Sequence, residues 1–169
     1  LGEQAGQNLF HSFDLFNIDS GEHANFSGPT SIINIVSRVT GGSSSIGGSI
    51  TSSISGASLW LVNPAGFLFT DGAVVDVDGT FHLSTADYLE FADRARYFSN
   101  LSDRSTLSTG EISSFGFLEN SSGAIKITSS LGESGEVAAP EQNLSVNSDA
   151  IGLSNVNLYA QEISIETSD

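Results

Sequence analysis

The sequence predicts an all-β chain wound as a parallel β-helix, and three observations predict it. Between residues 59 and 93 several short segments follow one another with almost no loop between them. Within each segment apolar and polar residues alternate, so that one face of each is apolar. Asn63-Pro64-Ala65-Gly66 and Asp71-Gly72 punctuate the run as turns. A chain that turns every few residues and keeps one apolar face can bury that face by coiling round one axis, each strand stacking on its equivalent in the next circuit.

Taken in order, Asn8-Leu-Phe-His-Ser-Phe-Asp-Leu-Phe-Asn-Ile-Asp-Ser-Gly21, Ala24-Asn-Phe-Ser27 and Ile32-Ile-Asn-Ile-Val-Ser-Arg-Val39 read as short strands, with turns at Ser20-Gly21 and Gly28-Pro29. Gly41-Gly-Ser-Ser-Ser-Ile-Gly-Gly48 lacks the Lys of a phosphate loop and reads as a flexible corner before a polar strand at 49–54. In the dense run, Val75, Val77, Phe81, Leu83, Leu89 and Phe91 are expected to point inward, and Asp76, Asp78 and His82 outward. Residues 85–98 also fit a helix capped by Thr85 or Asp87, but the period of two set by the preceding segments favours strands. A polar loop from 94 to 112 follows, then an element at 115–118 and strands near 124–128, 143–146, 156–159 and 163–165.

Composition narrows the class. The 169 residues amount to one domain, 1–169, with no flexible linker dividing it. Without cysteine, neither a disulfide scaffold nor a thiolate metal or redox site is available. Eighteen glycines suit a turn-rich β protein, and no apolar stretch approaches the roughly 20 residues of a membrane-spanning helix. Twenty acidic against five basic residues give a formal charge of −15, which repels phosphate backbones and anionic membrane surfaces. Nucleic acid and membrane insertion are therefore not expected. The chain opens on Leu1 rather than Met and carries no signal-peptide pattern, so upstream sequence is expected to have been removed.

Chemical motifs are sparse. Asp76 and Asp78 share a strand face and offer a calcium-binding or acid/base pair, but in so acidic a chain a solvated face is the simpler reading. His11, His23 and His82 are scattered, and no Gly-x-Ser-x-Gly elbow supports a triad. The glycosylation-type triplets at Asn25, Asn100, Asn120 and Asn143 read as turns in a chain rich in Asn and Ser. Arg38, between apolar neighbours, is expected in a paired structural role. No catalytic residue, metal ligand or cofactor is assigned.

Four stretches also carry a family resemblance: Asn8-Leu-Phe-His-Ser-Phe-Asp-Leu-Phe-Asn17, Ile35-Val-Ser-Arg-Val-Thr-Gly41, Leu59-Trp-Leu-Val-Asn-Pro-Ala-Gly-Phe-Leu-Phe69 and Val75-Asp-Val-Asp-Gly-Thr-Phe-His-Leu-Ser-Thr-Ala-Asp87. In order and spacing they resemble the motifs of the filamentous haemagglutinin-type secretion domain, which opens the two-partner secretion exoproteins of Gram-negative bacteria. The resemblance runs from Asn8 through Phe117 and more loosely to the end. It implies a right-handed parallel β-helix with small extra sheets, in a monomeric, non-enzymatic domain exported through the periplasm to the cell surface. It further implies recognition by the periplasmic domains of a dedicated outer-membrane transporter, through Asn8, Leu9, Phe10, His11, Ser12, Phe13, Arg38, Asn63, Pro64 and Gly66, and templating of β-helix folding outside the cell. The family's Asn-Pro-Asn-Gly turn is Asn-Pro-Ala-Gly here, and its strand-forming segment before the first motif is reduced to seven residues, which suggests a missing or cleaved cap.

Such export needs an extended chain, so recognition is expected to use segments that bind before the fold closes, adding to a partner's sheet edge. Residues 8–17, with Leu9, Phe10, Phe13 and Phe16, supply aromatic anchors for that contact; plain core or cap packing is the competing reading. Two other functions stay open: a glycan- or cell-binding adhesin module using Trp60 and the tyrosines, and a polysaccharide-active β-helix enzyme. Trp60 lies in an apolar run, so burial under an extra strand is expected instead of sugar stacking.

Overall fold

The computed structural model describes residues 2–118, 123–128, 143–154 and 161–167, and among them every regular element is a strand. The expectation of an all-β, mostly parallel chain holds. The strands are β1 (Glu3–Ala5), β2 (Asn8–Phe13), β3 (His23–Phe26), β4 (Asn34–Val39), β5 (Ser44–Ile46), β6 (Ser49–Ser52), β7 (Ser58–Val62), β8 (Phe67–Phe69) and β9 (Val74–Asp76). They continue with β10 (Phe81–Ser84), β11 (Tyr88–Phe91), β12 (Arg96–Phe98), β13 (Ile112–Gly116), β14 (Ala124–Thr128), β15 (Asn143–Ser148), β16 (Ala150–Ser154) and β17 (Glu162–Thr167).

Three parallel sheets are visited in rotation. The first runs β2-β4-β7-β10-β15-β17, with β1 antiparallel against β2 at its edge; the second is β5-β8-β14-β16; the third is β3-β6-β9. Up to β10 the chain leaves the first sheet, crosses the second and third, and returns to the first one strand further on; after the added strands β11–β13, the described strands β14 to β17 alternate between the second and first sheets. Asn34 thus lies beside Asn8, 26 residues earlier. The first circuit meets the second sheet through the isolated parallel bridge Ile18–Ile46, beside which the Ser45 N–H donates to the Asn17 side chain at 2.9 Å.

In-register pairing makes like residues stack. Leu9, Ile35, Leu59, Phe81 and Leu144 form one inward ladder, and Phe67 lies beside Ile125 as Phe69 lies beside Ile127. All belong to one buried core with Val75, Val77 and Leu83. Each such side chain contributes roughly 1.5–3 kcal/mol by leaving water, so the stack rather than any single circuit holds the fold.

A second core lies outside this coil. An antiparallel sheet β12-β11-β13, inserted between β10 and β14, lays Ala86, Leu89, Phe91 and Tyr97 on the outer face of the first sheet, over Phe10, Val36 and Val62. This corrects the expectation that Leu89 and Phe91 point into the coil: they are buried, but beneath the added sheet. Residues 85–98 form strands and not the alternative helix. The Gly41–Gly48 corner holds the short strand β5, and the loop expected at 94–112 holds β12. Asn25 and Asn143 sit in strands, Asn100 caps a turn at the Ser102 N–H, and Asn120 and the strand expected at 156–159 lie outside the described residues.

Candidate functional site

The period of two in β2 divides the candidate motif between two environments. Asn8 and Phe10 face outward yet are only 1% and 3% exposed, because the added sheet covers them. The Asn8 amide donates to the Ser108 carbonyl at 2.9 Å and the Gly110 carbonyl at 2.8 Å, and its Oδ1 accepts from Asn34 at 2.9 Å. Asn34 Oδ1 in turn accepts from the Trp60 indole N–H at 3.1 Å, so a polar relay ties three circuits to the 108–110 loop. The Phe10 ring packs 5.0 Å from that of Tyr97 and 5.9 Å from that of Phe91. The Tyr97 hydroxyl donates to the His11 carbonyl at 3.0 Å, and burial raises its pKa against the opposing pull of the Arg38 cation.

Leu9, His11 and Phe13 face the other way, into the first circuit; Gln4 of β1 lies beside Leu9, and among the described residues no strand pairs beyond His11 and Phe13 on that edge. With Phe16, Phe26 and Pro29 they line a half-open aromatic cup of about 530 Å³. His11 stacks on Phe13 with ring centroids 5.9 Å apart, and burial lowers its pKa. Its Nε2 has no hydrogen-bond partner, and neither does the hydroxyl of Ser37, the residue paired with it in β4.

Arg38 lies beside Ser12 and Val62 in register. Its Nε donates to the Ser12 hydroxyl at 2.9 Å, and its Nη1 donates to the Phe98 carbonyl and to the Ser105 hydroxyl at 3.0 Å. The guanidinium stands 4.4 Å over the Tyr97 ring. The structural role expected for Arg38 holds, with neutral oxygens and an aromatic face as the partners.

At Asn63-Pro64-Ala65-Gly66, Asn63 is buried and caps the turn by accepting from the Ala65 N–H at 2.9 Å. Its amide donates to the Gly42 carbonyl at 2.8 Å and the Ser44 hydroxyl at 3.0 Å, which pins the preceding circuit. The Gly66 N–H closes the turn on the Asn63 carbonyl at 2.9 Å. Gly66 has φ +96, and a Cβ there would meet the Ala124 carbonyl oxygen at 2.5 Å. Only glycine fits without strain. Because Ser12, Arg38 and Val62 are neighbours and Asn63 follows Val62, the motif, the arginine and the turn lie along one end of the first sheet.

The remaining candidates stay apart. Asp76 and Asp78 are exposed, and Asp78 accepts a 3.3 Å bond from the Gly56 N–H. Among the described residues no three His, Asp or Glu side chains converge on a metal-sized site. His23 bonds Ser49 and Thr51 on the third sheet. His82 points out of the coil as expected but is half-buried, stacked on Trp60 with Phe115 of β13 nearby; Trp60 is itself only half-buried there, so the burial expected for it under an extra strand holds in part. Sequence reasoning missed Phe91, Tyr97, Ser108 and Gly110 as partners of the motif. The alternation Arg96-Tyr97-Phe98 was the available signal for β12, and the polar residues after it masked that signal.

These features define a parallel-rich, all-β repeat domain whose N-terminal motif has one face sealed under an added sheet and the other on a half-open cup. The model of the TPS secretion domain matches residues 2–168, and the chain belongs to that family, the N-terminal domain of two-partner secretion exoproteins. Exoproteins of this family are secreted via the periplasm and an outer-membrane transporter. No curated protein and no solved structure matches the chain.

Proposed function

We propose that this domain is the address by which an outer-membrane transporter's periplasmic domains select the exoprotein, and that it winds as a right-handed parallel β-helix onto which further chain stacks. The family match over residues 2–168 carries the reading. The rotation of the chain through three parallel sheets up to β10 supports the β-helix. The in-register apolar ladders, with Leu144 beside Ile163 and Val146 beside Ile165, support the templating role, because each rung offers the next the same apolar positions. Asp76 and Asp78 act as solvated surface, and the domain carries no chemistry of its own.

Residues 8–13, Arg38 and the turn at Asn63, Pro64 and Gly66 serve recognition and closure. The test pairs export of a fused passenger with binding to the purified periplasmic domains of the cognate transporter. Deleting residues 8–17 abolishes both. Binding that survives this deletion at full strength would remove the motif from recognition.

A further inference from the structure

We infer that the outward face of β2 is an exchange surface: it takes an aromatic-bearing extended segment of the transporter before the domain closes, and β11, β12 and the loop that follows β12 of its own chain afterwards, so that the two occupants exclude one another. The inference rests on the reading that residues 8–13 are the transporter's address, and adds what that address fits and what ends the contact.

The intramolecular cover shows the chemistry the face accepts. Phe10 takes two aromatic rings, those of Tyr97 and Phe91. The Asn8 amide takes two backbone carbonyls, those of Ser108 and Gly110. The His11 carbonyl takes a phenol hydroxyl. A partner strand with an aromatic side chain and free carbonyls satisfies the same groups. With the cover in place, Asn8 and Phe10 are 1% and 3% exposed, so no partner reaches them without displacing it. Sequence separation supplies the timing. The Asn8 amide and its acceptors lie 100 and 102 residues apart, and Tyr97 lies 86 residues from His11. In a chain threading from its N-terminal end, the motif therefore emerges long before its cover, and closure of the cover releases the transporter.

The test measures binding to the immobilised periplasmic domains of the transporter. Urea-unfolded chain diluted into buffer binds at least tenfold more tightly than native chain, and Phe10→Asp removes that binding. Native Tyr97→Asp and Phe91→Asp variants, with parallel sheets verified by protease resistance, regain tight binding. An opened, folded variant that binds no better than the native chain overturns the exchange. Unfolded-chain binding indifferent to Phe10→Asp overturns the address reading beneath it. Wild-type chain gives an independent check if the variants do not fold. During refolding, binding is lost as amides at 96–98 and 108–110 gain hydrogen-exchange protection, and binding that outlasts that protection overturns the proposal.

Discussion

The Trp60 indole and the His82 imidazole lie face to face on neighbouring strands, ring centroids 3.5 Å apart and planes 9° apart. They are successive rungs of one outer ladder, Phe10, Val36, Trp60, His82, Ser145, in which large rings give way to a small hydroxyl. Where the ladder steps down, a groove of about 450 Å³ opens between His82, Phe115, Asn147 and Glu166. His82 Nδ1 has no hydrogen-bond partner, and burial brings the imidazole pKa down to about 4.

That stack makes stability depend on pH in a defined window. The folded pKa of His82, about 4, lies below its unfolded value of 6.5, so between these values the unfolded chain binds more protons. The neutral ring's contribution is fully present above pH 6.5 and is lost as pH falls through 4, up to about 3 kcal/mol. Urea unfolding at steps from pH 7.5 to 4 should show wild type losing more stability than His82→Phe. Parallel curves for the two would mean that the imidazole titrates normally in the fold.

The turn after β7 should be sensitive in a graded way. Asn63→Ala removes the Asx cap and leaves the Gly42 carbonyl and Ser44 hydroxyl short of a donor, at a cost of about 1–3 kcal/mol. Pro64→Ala costs less, about 0.4–1 kcal/mol, through the freer unfolded chain. Gly66→Ala combines a left-handed backbone with a clash on Ala124 and should be the worst of the three. Denaturation midpoints rank them, and export of a fused passenger should follow the same order.

How much of this was legible depended on whether a residue's partner was near in sequence or far. Phe81 and Leu83 were placed correctly because alternation within one segment fixes which side chains share a face, and turn chemistry at Asn63 is equally local. Leu89 and Phe91 alternate just as cleanly, but alternation says only that a face is buried, not what covers it. Their cover is the outer face of β2, β4 and β7, which no local pattern encodes. The same limit hid Tyr97 as the partner of Phe10 across 87 residues of chain and left anchor and core packing as equal readings of the motif. β5 was missed because three residues of Ser-Ser-Ile among glycines gain their order from Phe67 and Phe69 next door, not from propensity.

The carboxylates at Asp76 and Asp78 should be nearly silent. Both are exposed, and a single 3.3 Å bond from the Gly56 N–H is the contact Asp78 contributes. Replacing both by Asn is expected to change stability by no more than about 0.5 kcal/mol and to leave export intact. A loss of more than that, or calcium-dependent stabilisation of wild type alone, would show that the pair binds an ion.

Two phenylalanines of the motif, Phe10 and Phe13, should separate core packing from recognition. Phe10 sits in the sealed second core against Phe91 and Tyr97, so Phe10→Ala opens a cavity and should cost about 3–5 kcal/mol in the native domain. Phe13 lines the half-open cup, where water re-enters a truncated site, and Phe13→Ala should cost only about 1–2 kcal/mol. If both rings anchor the unfolded chain on the transporter, the two variants bind its periplasmic domains equally poorly when added unfolded, despite their unequal stabilities. Export then fails for both, whereas a purely structural role makes export follow stability and leaves unfolded-chain binding untouched. Urea midpoints read with unchanged slopes supply the first axis and binding of urea-unfolded chain the second. Equal binding by wild type and both variants would remove the aromatic anchors from the mechanism, whatever happens to export.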